Sequence, residues 1–121
     1  MFSKKKNDIK RLKSKKEIEL LFSEGNHLGS GAVKLVCTKS YSGSLYFGFG
    51  VSKRNFPRAV DRNKIKRLMR EGVKAFIQSG EYNSFCGKGF FIYSGKEFPI
   101  LKDVEQHVVS LINRWNAQDK P

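Results

Sequence analysis

The clearest chemical pattern in this sequence is a row of basic residues at the spacing of an α-helix. Arg62, Lys66 and Arg70 stand four positions apart, so a helix would place them on one face. Like charges at this spacing destabilise an isolated helix by roughly a few tenths of a kcal/mol per pair. Residues 53–70 contain eight basic residues and a single acid, Asp61. We therefore interpret this helix as a surface for an anion such as phosphate, which arginine can contact with two N–H groups.

The charge of the chain is concentrated in that segment and in one other. The 121 residues include 24 Lys and Arg and 11 Asp and Glu, which gives a net charge of +13. Residues 1–16 hold eight bases and one acid, so the two segments carry +7 each and the other 87 residues carry −1. This distribution predicts a nearly neutral domain with two basic surfaces for a polyanion. It argues against a passive structural role and against an acidic small molecule as the main ligand.

Aromatic residues accompany the first basic segment. Phe22 follows Lys15 and Lys16, and three more aromatic residues lie in the β-rich segment 45–52. Aromatic faces beside cations stack single-stranded nucleic acid, at about 1–3 kcal/mol per base. Because successive strand residues face opposite sides, half or more of these rings are expected in the core, and Phe22 is open to the same alternative. The strand aromatics are Tyr46, Phe47 and Phe49.

Side chains for catalysis, metal binding or disulfides are not grouped in the sequence. His27 and His107 are isolated, and Cys37 and Cys86 stand far apart without Cys or His at metal-ligand spacing. Since no carboxylate pair or Ser/His/Asp pattern stands out, any chemistry on nucleic acid is expected to use a nucleophile and base from elsewhere. The thiols are expected to be buried or half-buried in a reducing cytoplasm. No apolar run reaches membrane-spanning length, and residues 1–16 lack the apolar stretch of a signal peptide, so we predict a cytoplasmic protein without a membrane partner.

Periodicity predicts one helix and two strands in the first half of the chain. The segment Ser14–Glu17 has the residues of a capping box, and the helix that follows would end near Gly25. Residues 33–39 and 45–52 are rich in β-branched and aromatic residues and are separated by turn residues. We predict that they pair as an antiparallel hairpin. Whether residues 27–32 add a further strand stays open.

The second half predicts two helices around one strand. A helix is expected from Ala59–Arg62 onward, a loop at 80–89, a strand at 90–94 and a last helix after Pro99. The element order is then helix, strands, helix, strand, helix. This order predicts a single-domain α+β sandwich with a mixed sheet, formed by the whole chain. Residues 1–11 lack apolar periodicity and are expected to form a flexible basic arm.

A basic helix could also lie in the major groove of DNA. Proteins that read base pairs in this way commonly use Asn or Gln at the base contacts. Only Asn63 qualifies among the basic positions, and no helix-turn-helix or heptad pattern surrounds it. We therefore predict an RNA partner and no DNA partner.

Residues 49–71, FGVSKRNFPRAVDRNKIKRLMRE, resemble the protein component of bacterial ribonuclease P. The family signature is a strand ending in VSK, a short turn, Ala-Val, and a helix with Arg, Asn, a basic residue, Ile, Lys and Arg, followed after two intervening positions by Arg and Glu. The chain agrees in outline elsewhere, with RLK at 11–13, a first helix ending LFSEG at 21–25, and a late strand and helix. The resemblance implies a ribonucleoprotein that removes the 5′ leader of precursor tRNA, with hydrolysis performed by its RNA subunit and bound Mg²⁺.

The resemblance also implies a fold and a set of contacts. The fold would be an α/β sandwich of ribosomal-protein type with a left-handed crossover around the basic helix, against the usual hand of such connections. Asn63 would also lie near a metal-ion site. The residues expected to bind the RNA subunit are Lys53, Arg54, Arg58, Arg62, Asn63, Lys64, Lys66, Arg67 and Arg70. The residues expected to bind the single-stranded leader, in a cleft between first helix and sheet, are Arg11, Lys15, Lys16, Ile18, Phe22, Lys34 and Val36.

Two residues depart from the family pattern. Lys64 stands where relatives usually have Arg, so the charge is kept without the forked donor geometry. Ile18 stands where relatives often have an aromatic residue, so apolar packing against a base would replace stacking. We expect a non-catalytic protein subunit of ribonuclease P that binds the catalytic RNA and precursor tRNA and assists Mg²⁺-dependent 5′ maturation. The alternative is a structural RNA-binding protein of ribosomal type with no processing role.

Overall fold

The computed structural model describes residues 9–40, 43–78 and 86–117, which form a five-stranded sheet and three helices. The predicted mixed α+β class is therefore confirmed. The elements are β1 (Ile9–Arg11), α1 (Lys15–Glu24), β2 (Asn26–Ser30), β3 (Val33–Ser40), β4 (Leu45–Val51), α2 (Ala59–Gln78), β5 (Cys86–Tyr93) and α3 (Leu101–Asn116).

The first two helices begin where the sequence has residues that favour a helix start. The hydroxyl of Ser14 accepts a hydrogen bond from the backbone N–H of Glu17 at 3.3 Å, which confirms the predicted N-cap of α1. In α2, Asp61 lies in the first turn, where the helix dipole stabilises a carboxylate. Gly25 is the C-cap of α1, as predicted. Its small size matters because a Cβ there would lie 2.6 Å from the carbonyl oxygen of Leu21.

The strands join in the order β1-β4-β5-β3-β2. β1, β4 and β5 run parallel, whereas β3 is antiparallel to both β5 and β2. The predicted hairpin between β3 and β4 is therefore wrong, since β5 lies between these strands. Phe91 of β5 stands opposite Leu35 of β3 and opposite Phe49 of β4. Apolar alternation along a strand specifies the face that is buried, and it leaves the neighbouring strand undetermined.

α2 connects β4 to its parallel neighbour β5, so the basic helix lies within a crossover connection. The left hand of that crossover stays a prediction, and residues 79–85 lie outside the described residues. β5 begins at Cys86, four positions earlier than predicted. The glycines of this segment are typical of a loop. Gly89 nevertheless lies in the strand, because its lack of a side chain makes room for the Trp115 ring. A Cβ at position 89 would lie 2.6 Å from an atom of that ring.

α2 and α3 cover one face of the sheet and enclose the main core. Gly72 of α2 permits a close approach of the two helices, because a Cβ there would lie 2.8 Å from Cβ of Val108. The indole N–H of Trp115 donates to the carbonyl oxygen of Thr38 at 3.0 Å, so this large ring is buried with its polar group paired. The buried residues of α3 recur at helical spacing along one face: Val104, Val108, Leu111, Ile112 and Trp115.

α1 covers only part of the opposite face. Its single buried residue is Leu21, which packs with Leu12 and Val36 in a small second cluster. Ile18 and Phe90 are partly buried against this cluster. The sheet therefore has a thick core on one side and a thin, partly open contact on the other.

The first described residues correct the predicted arm. Residues 9–11 form the edge strand β1 and pair with β4, with Arg11 opposite Phe47. The backbone N–H of Leu12 continues this pairing with a bond to the carbonyl oxygen of Phe47 at 2.8 Å. Such main-chain bonds can hold a short edge strand that has no apolar alternation. Residues 1–8 of the predicted arm lie outside the described residues. The sequence did not decide whether residues 27–32 include a strand. The structure has β2 there, at the other edge of the sheet.

Candidate nucleic-acid interface

α2 has a buried stripe and an exposed basic face. Asn63, Lys64 and Arg67 are exposed, and Lys66 is half-buried. Apolar and basic residues thus lie on separate faces of α2, and the apolar face anchors the helix along its length. The buried residues are Ile65, Met69, Gly72, Val73 and Phe76.

The loop between β4 and α2 presents three further cations, all of them exposed: Lys53, Arg54 and Arg58. The side-chain amide of Asn55 donates to the carbonyl oxygens of Ser94 and Gly95, each at 3.1 Å. Phe56 is buried against the ring of Tyr93. These contacts fix the loop, so its cations stand at defined positions beside the start of α2.

Arg62 has a structural role that the sequence does not reveal. Its Nη1 donates to the carbonyl oxygens of Phe56 at 2.9 Å and Pro57 at 2.8 Å. These bonds tie the first turn of α2 to the cationic loop. A guanidinium has five N–H groups, so Arg62 keeps donors for a phosphate while it orders the loop.

Arg70 lies deeper than the other basic residues of α2. Its guanidinium carbon is 5.5 Å from the centre of the Phe49 ring, a cation–π contact. Its Nε is buried and has no hydrogen-bond partner among the described residues. Burial, followed by the positive charges of Arg11 and Arg67, lowers the pKa of Arg70. A nearby anion would offset all three of these effects.

A cleft beside α1 carries an aromatic pair. Phe22 is 38% exposed, and the centre of its ring lies 5.4 Å from that of Phe90 in an edge-to-face arrangement. The Phe90 ring lies across Gly48 and Gly50 of β4, where a Cβ would be 2.5 Å and 2.9 Å from ring atoms. An exposed ring beside this aromatic floor can stack an unpaired base. Sequence reasoning missed Phe90, although the alternating glycines of β4 signal a space that a neighbouring ring must fill.

Most of the predicted leader contacts lie on this side of the sheet. Lys15 and Lys16 of α1 are exposed, and Ile18 is half-buried against the second cluster. Lys34 is exposed on β3, two positions from Val36 and therefore on the same face. The cleft thus combines cations with an apolar and aromatic surface.

Two predicted leader contacts are not available in the cleft, one because it is buried and one because it faces the other side of the sheet. Val36 is 2% exposed and packs with Leu21, so its side chain belongs to the second cluster. Arg11 pairs with Phe47, and Phe47 packs on Phe91 in the main core. Register partners share a face, so Arg11 points to the side of α2 and not to α1. The structure therefore removes both side chains from the predicted cleft.

The described residues include no group of three or more His, Cys, Asp or Glu side chains that could hold a metal ion. Asn63, the predicted metal-proximal residue, is exposed on α2. Mg²⁺ requires near-octahedral oxygen coordination, usually with one or two carboxylates and phosphate oxygens. One amide oxygen does not meet that requirement, so these residues do not fit a magnesium ion held by the protein alone.

A model of the Ribonuclease P family matches residues 6–114 of the sequence. The chain belongs to the Ribonuclease P family. The chain is 29% identical over 130 aligned positions to the "Ribonuclease P protein component" of Chlorobium phaeobacteroides, covering 92% of this chain and 86% of that one. It is 38% identical over 68 positions to the protein of the same name from Chlorobaculum tepidum, covering 51% and 44%.

Solved structures of this family share the fold. The RNase P protein of Staphylococcus aureus superposes with a TM-score of 0.71 at 18% identity, over 86% of this chain and 93% of that chain. The RNase P protein of Thermotoga maritima also gives 0.71, at 22% identity, over 86% and 96%. The family identifies the chain as a protein subunit of the ribonuclease P ribonucleoprotein, an endoribonuclease of tRNA processing, with RNA as its partner. None of the described helices is long and apolar enough to cross a membrane.

Proposed function

We propose that the chain binds the RNA subunit of ribonuclease P through α2 and the loop before it, and binds the 5′ leader of precursor tRNA in the cleft beside α1. The observation that carries this proposal is that α2 and α1 lie on opposite faces of one sheet. Phe91 of β5 faces the main core below α2, whereas the adjacent Phe90 faces the Phe22 ring of α1. One small domain can therefore hold two RNA segments at the same time.

The α2 surface suits a folded RNA. The helix is anchored by five buried residues, and the loop before it is fixed by the Asn55 bonds. Cations on a rigid frame match phosphates whose spacing is itself fixed by RNA structure. Lys53, Arg54 and Arg67 are exposed, so their charged groups are accessible to phosphates of the RNA.

The cleft suits a single strand. A leader has unpaired bases that can stack on Phe22 and Phe90, and its phosphates can approach Lys15, Lys16 and Lys34. Stacking accepts every base, which fits a segment whose sequence differs from one precursor to the next.

In this proposal the RNA subunit holds Mg²⁺ and performs the hydrolysis. The residues of this chain neutralise phosphates, which reduces repulsion between substrate and RNA subunit and lowers the Mg²⁺ concentration needed for binding. They also hold the leader in place on the substrate side. A cytoplasmic location belongs to the same proposal, because precursor tRNA is the substrate.

Reconstitution tests the proposal. Adding the purified chain to a bacterial ribonuclease P RNA at low Mg²⁺ should raise the rate of 5′ cleavage of precursor tRNA, and the chain alone should not cleave. The double variant Lys53→Gln/Arg54→Gln should lose much of this gain. The matched control Lys96→Gln/Lys102→Gln, which removes two exposed lysines outside both surfaces, should keep it. No gain with the wild-type chain, or equal losses in the two double variants, would contradict the proposal.

A further inference from the structure

A small pocket lies where β1 meets α2, at the edge of the sheet. Its volume is about 190 Å³, and four of the residues that line it are basic: Lys10, Arg11, Arg70 and Lys74. Its apolar lining includes Phe49 and Val73. No carboxylate lines this pocket in the described part of the chain. Lys74 forms an ion pair outside it, with Glu71 at 3.3 Å.

The pocket contains two arginines for which the family resemblance implies contacts with different RNAs. Arg11 was expected at the leader and Arg70 at the RNA subunit. The structure places Arg11 on the α2 side of the sheet, close enough for its charge to lower the pKa of Arg70. Folding therefore brings these like charges together at one site.

The Arg70 side chain is prepared for an acceptor that the protein does not supply. Its Nε is buried without a hydrogen-bond partner among the described residues, while its guanidinium lies on the Phe49 ring. A buried donor without a partner destabilises a fold, and a ligand that supplies an acceptor removes this cost. A phosphate oxygen would pair with this N–H, offset the repulsion between the arginines, and bind in the forked geometry of guanidinium groups.

We propose that this pocket binds a phosphodiester group of the RNA subunit between Arg11 and Arg70, so that the RNA strand on α2 continues across β1. The inference rests on the proposed function and adds a site to its α2 surface. The pocket volume is several times the roughly 30 Å³ of one water molecule. It therefore has room for a phosphate together with part of a ribose, which the half-buried Phe49 in the pocket lining would contact.

The position of the pocket favours the RNA subunit over the leader. Arg11 and Arg70 lie on the face of the sheet covered by α2, and the aromatic cleft lies on the other face beyond Phe90. A leader bound in the cleft would have to pass around the sheet edge to reach Arg11. A strand of the RNA subunit on α2 is already on the correct side.

A double-mutant cycle tests whether the two arginines share one phosphate. Arg11→Gln and Arg70→Gln should each weaken binding of ribonuclease P RNA by about tenfold or more, the usual size of a lost charged hydrogen bond. The double variant should fall well short of the product of the two losses. Arg11→Gln combined with Lys64→Gln, an exposed cation outside the pocket, should give the full product. A full product for the Arg11/Arg70 pair, or no loss from either single variant, would overturn the proposal.

A second measurement reports on the free Nε–H itself. In the isolated chain, titration with inorganic phosphate should shift the NMR resonance of the Arg70 Nε–H group, and Arg11→Gln should weaken this response several-fold. A response that is absent, or that is unchanged in Arg11→Gln, would overturn the site.

The phosphate in the pocket could belong to the RNA subunit or to the leader, and the affinity of the reconstituted complex for precursor and mature tRNA distinguishes the two. Arg11→Gln should leave the ratio of precursor to mature tRNA affinity unchanged. A lower ratio with unchanged affinity for the RNA subunit would assign Arg11 to the leader and overturn the proposal. If Lys53→Gln/Arg54→Gln weakens RNA binding while the pocket variants do not, the pocket fails and the proposed function stands. If none of these variants weakens binding, the proposed function fails as well.

Discussion

The two faces of the sheet differ in how firmly their helices are held. α2 is 20 residues long and has five buried residues, whereas α1 is 10 residues long and has one, Leu21. Buried apolar surface is the main source of stability, so α2 is the more strongly anchored helix. A firmly held helix suits an RNA with fixed phosphate positions, and a lightly held helix can adjust to a strand of variable sequence.

The two helices also differ in charge, because α2 is strongly basic and α1 is not. α2 carries five basic residues between positions 59 and 70 against one acid, Asp61. α1 carries two lysines and three acids, and one of these acids, Glu17, lies 3.9 Å from Lys88 of β5. An exposed ion pair of this kind contributes little to stability. Aromatic contacts therefore matter more for binding on the α1 side, and charge matters more on the α2 side.

The largest expected effect concerns Cys37, which lies in the main core on the face of the sheet that α2 and α3 cover. Burial raises the pKa of the Cys37 thiol from 9.0 to about 12. At pH 8 its thiolate fraction is then about 10³-fold below that of an ordinary cysteine, so iodoacetamide should label Cys37 in urea-unfolded protein and hardly at all in folded protein. Because the unfolded thiol ionises first, the stability of the fold should fall as pH rises from 9.0 towards 12. Equal labelling of Cys37 in both states would contradict a tightly packed α2 side.

Core truncations compare the two faces directly. Met69→Ala in α2 should lower the free energy of unfolding by about 3–5 kcal/mol, since Met69 is fully buried between sheet and helices. Leu21→Ala in α1 should cost about 2 kcal/mol, because the thin second cluster can close over the lost volume. Urea denaturation measures both. An equal or larger loss for Leu21→Ala would contradict the proposed difference in anchoring.

Truncation of the exposed ring tests the cleft. Phe22→Ala should weaken binding of precursor tRNA to the reconstituted complex by about 1–3 kcal/mol and leave mature tRNA unaffected, since only the precursor has a leader. Phe98→Ala is the matched control, because Phe98 is 48% exposed and lies outside the cleft. Equal losses for precursor and mature tRNA would show that Phe22 supports the fold and does not contact the leader.

Single cations give the smallest effects and separate the two RNAs. Arg67→Gln should reduce the slope of log affinity against log salt for the RNA subunit by about 0.7–0.9, the value of one phosphate contact. Lys34→Gln should leave the slope for the RNA subunit unchanged. It should instead reduce the slope for binding of precursor tRNA, through its leader, by about 0.7. Lys102→Gln on α3 serves as the control. If Arg67→Gln and Lys34→Gln both altered the slope for the RNA subunit, or both altered only that for precursor tRNA, the division between the two faces would be wrong.

Local features of the fold were predictable from the sequence. The start of α1 follows from Ser14 and Glu17, and the buried face of α2 follows from the spacing of Ile65, Met69 and Val73. Each of these depends on residues within a turn or two of one another. The basic face of α2 was predictable for the same reason.

Features that depend on strand neighbours were not predictable. The insertion of β5 between β3 and β4 is a pairing between distant segments, and alternation in either strand is compatible with a hairpin. The placement of Arg11 follows from the register of β1 on β4, and the burial of Val36 follows from the position of Leu21 above it. The bonds of Arg62 to two carbonyl oxygens depend on the path of the loop.

The central claim, that the two faces hold two different RNAs, can be tested by directed cleavage. An iron–EDTA probe is attached either at position 20 of α1 after Leu20→Cys or at position 64 of α2 after Lys64→Cys, both exposed sites, in a Cys86→Ser background. In the reconstituted complex with precursor tRNA, the probe on α1 should cleave the leader and the probe on α2 should cleave the RNA subunit. Cleavage of the same RNA segment from both positions would contradict the account.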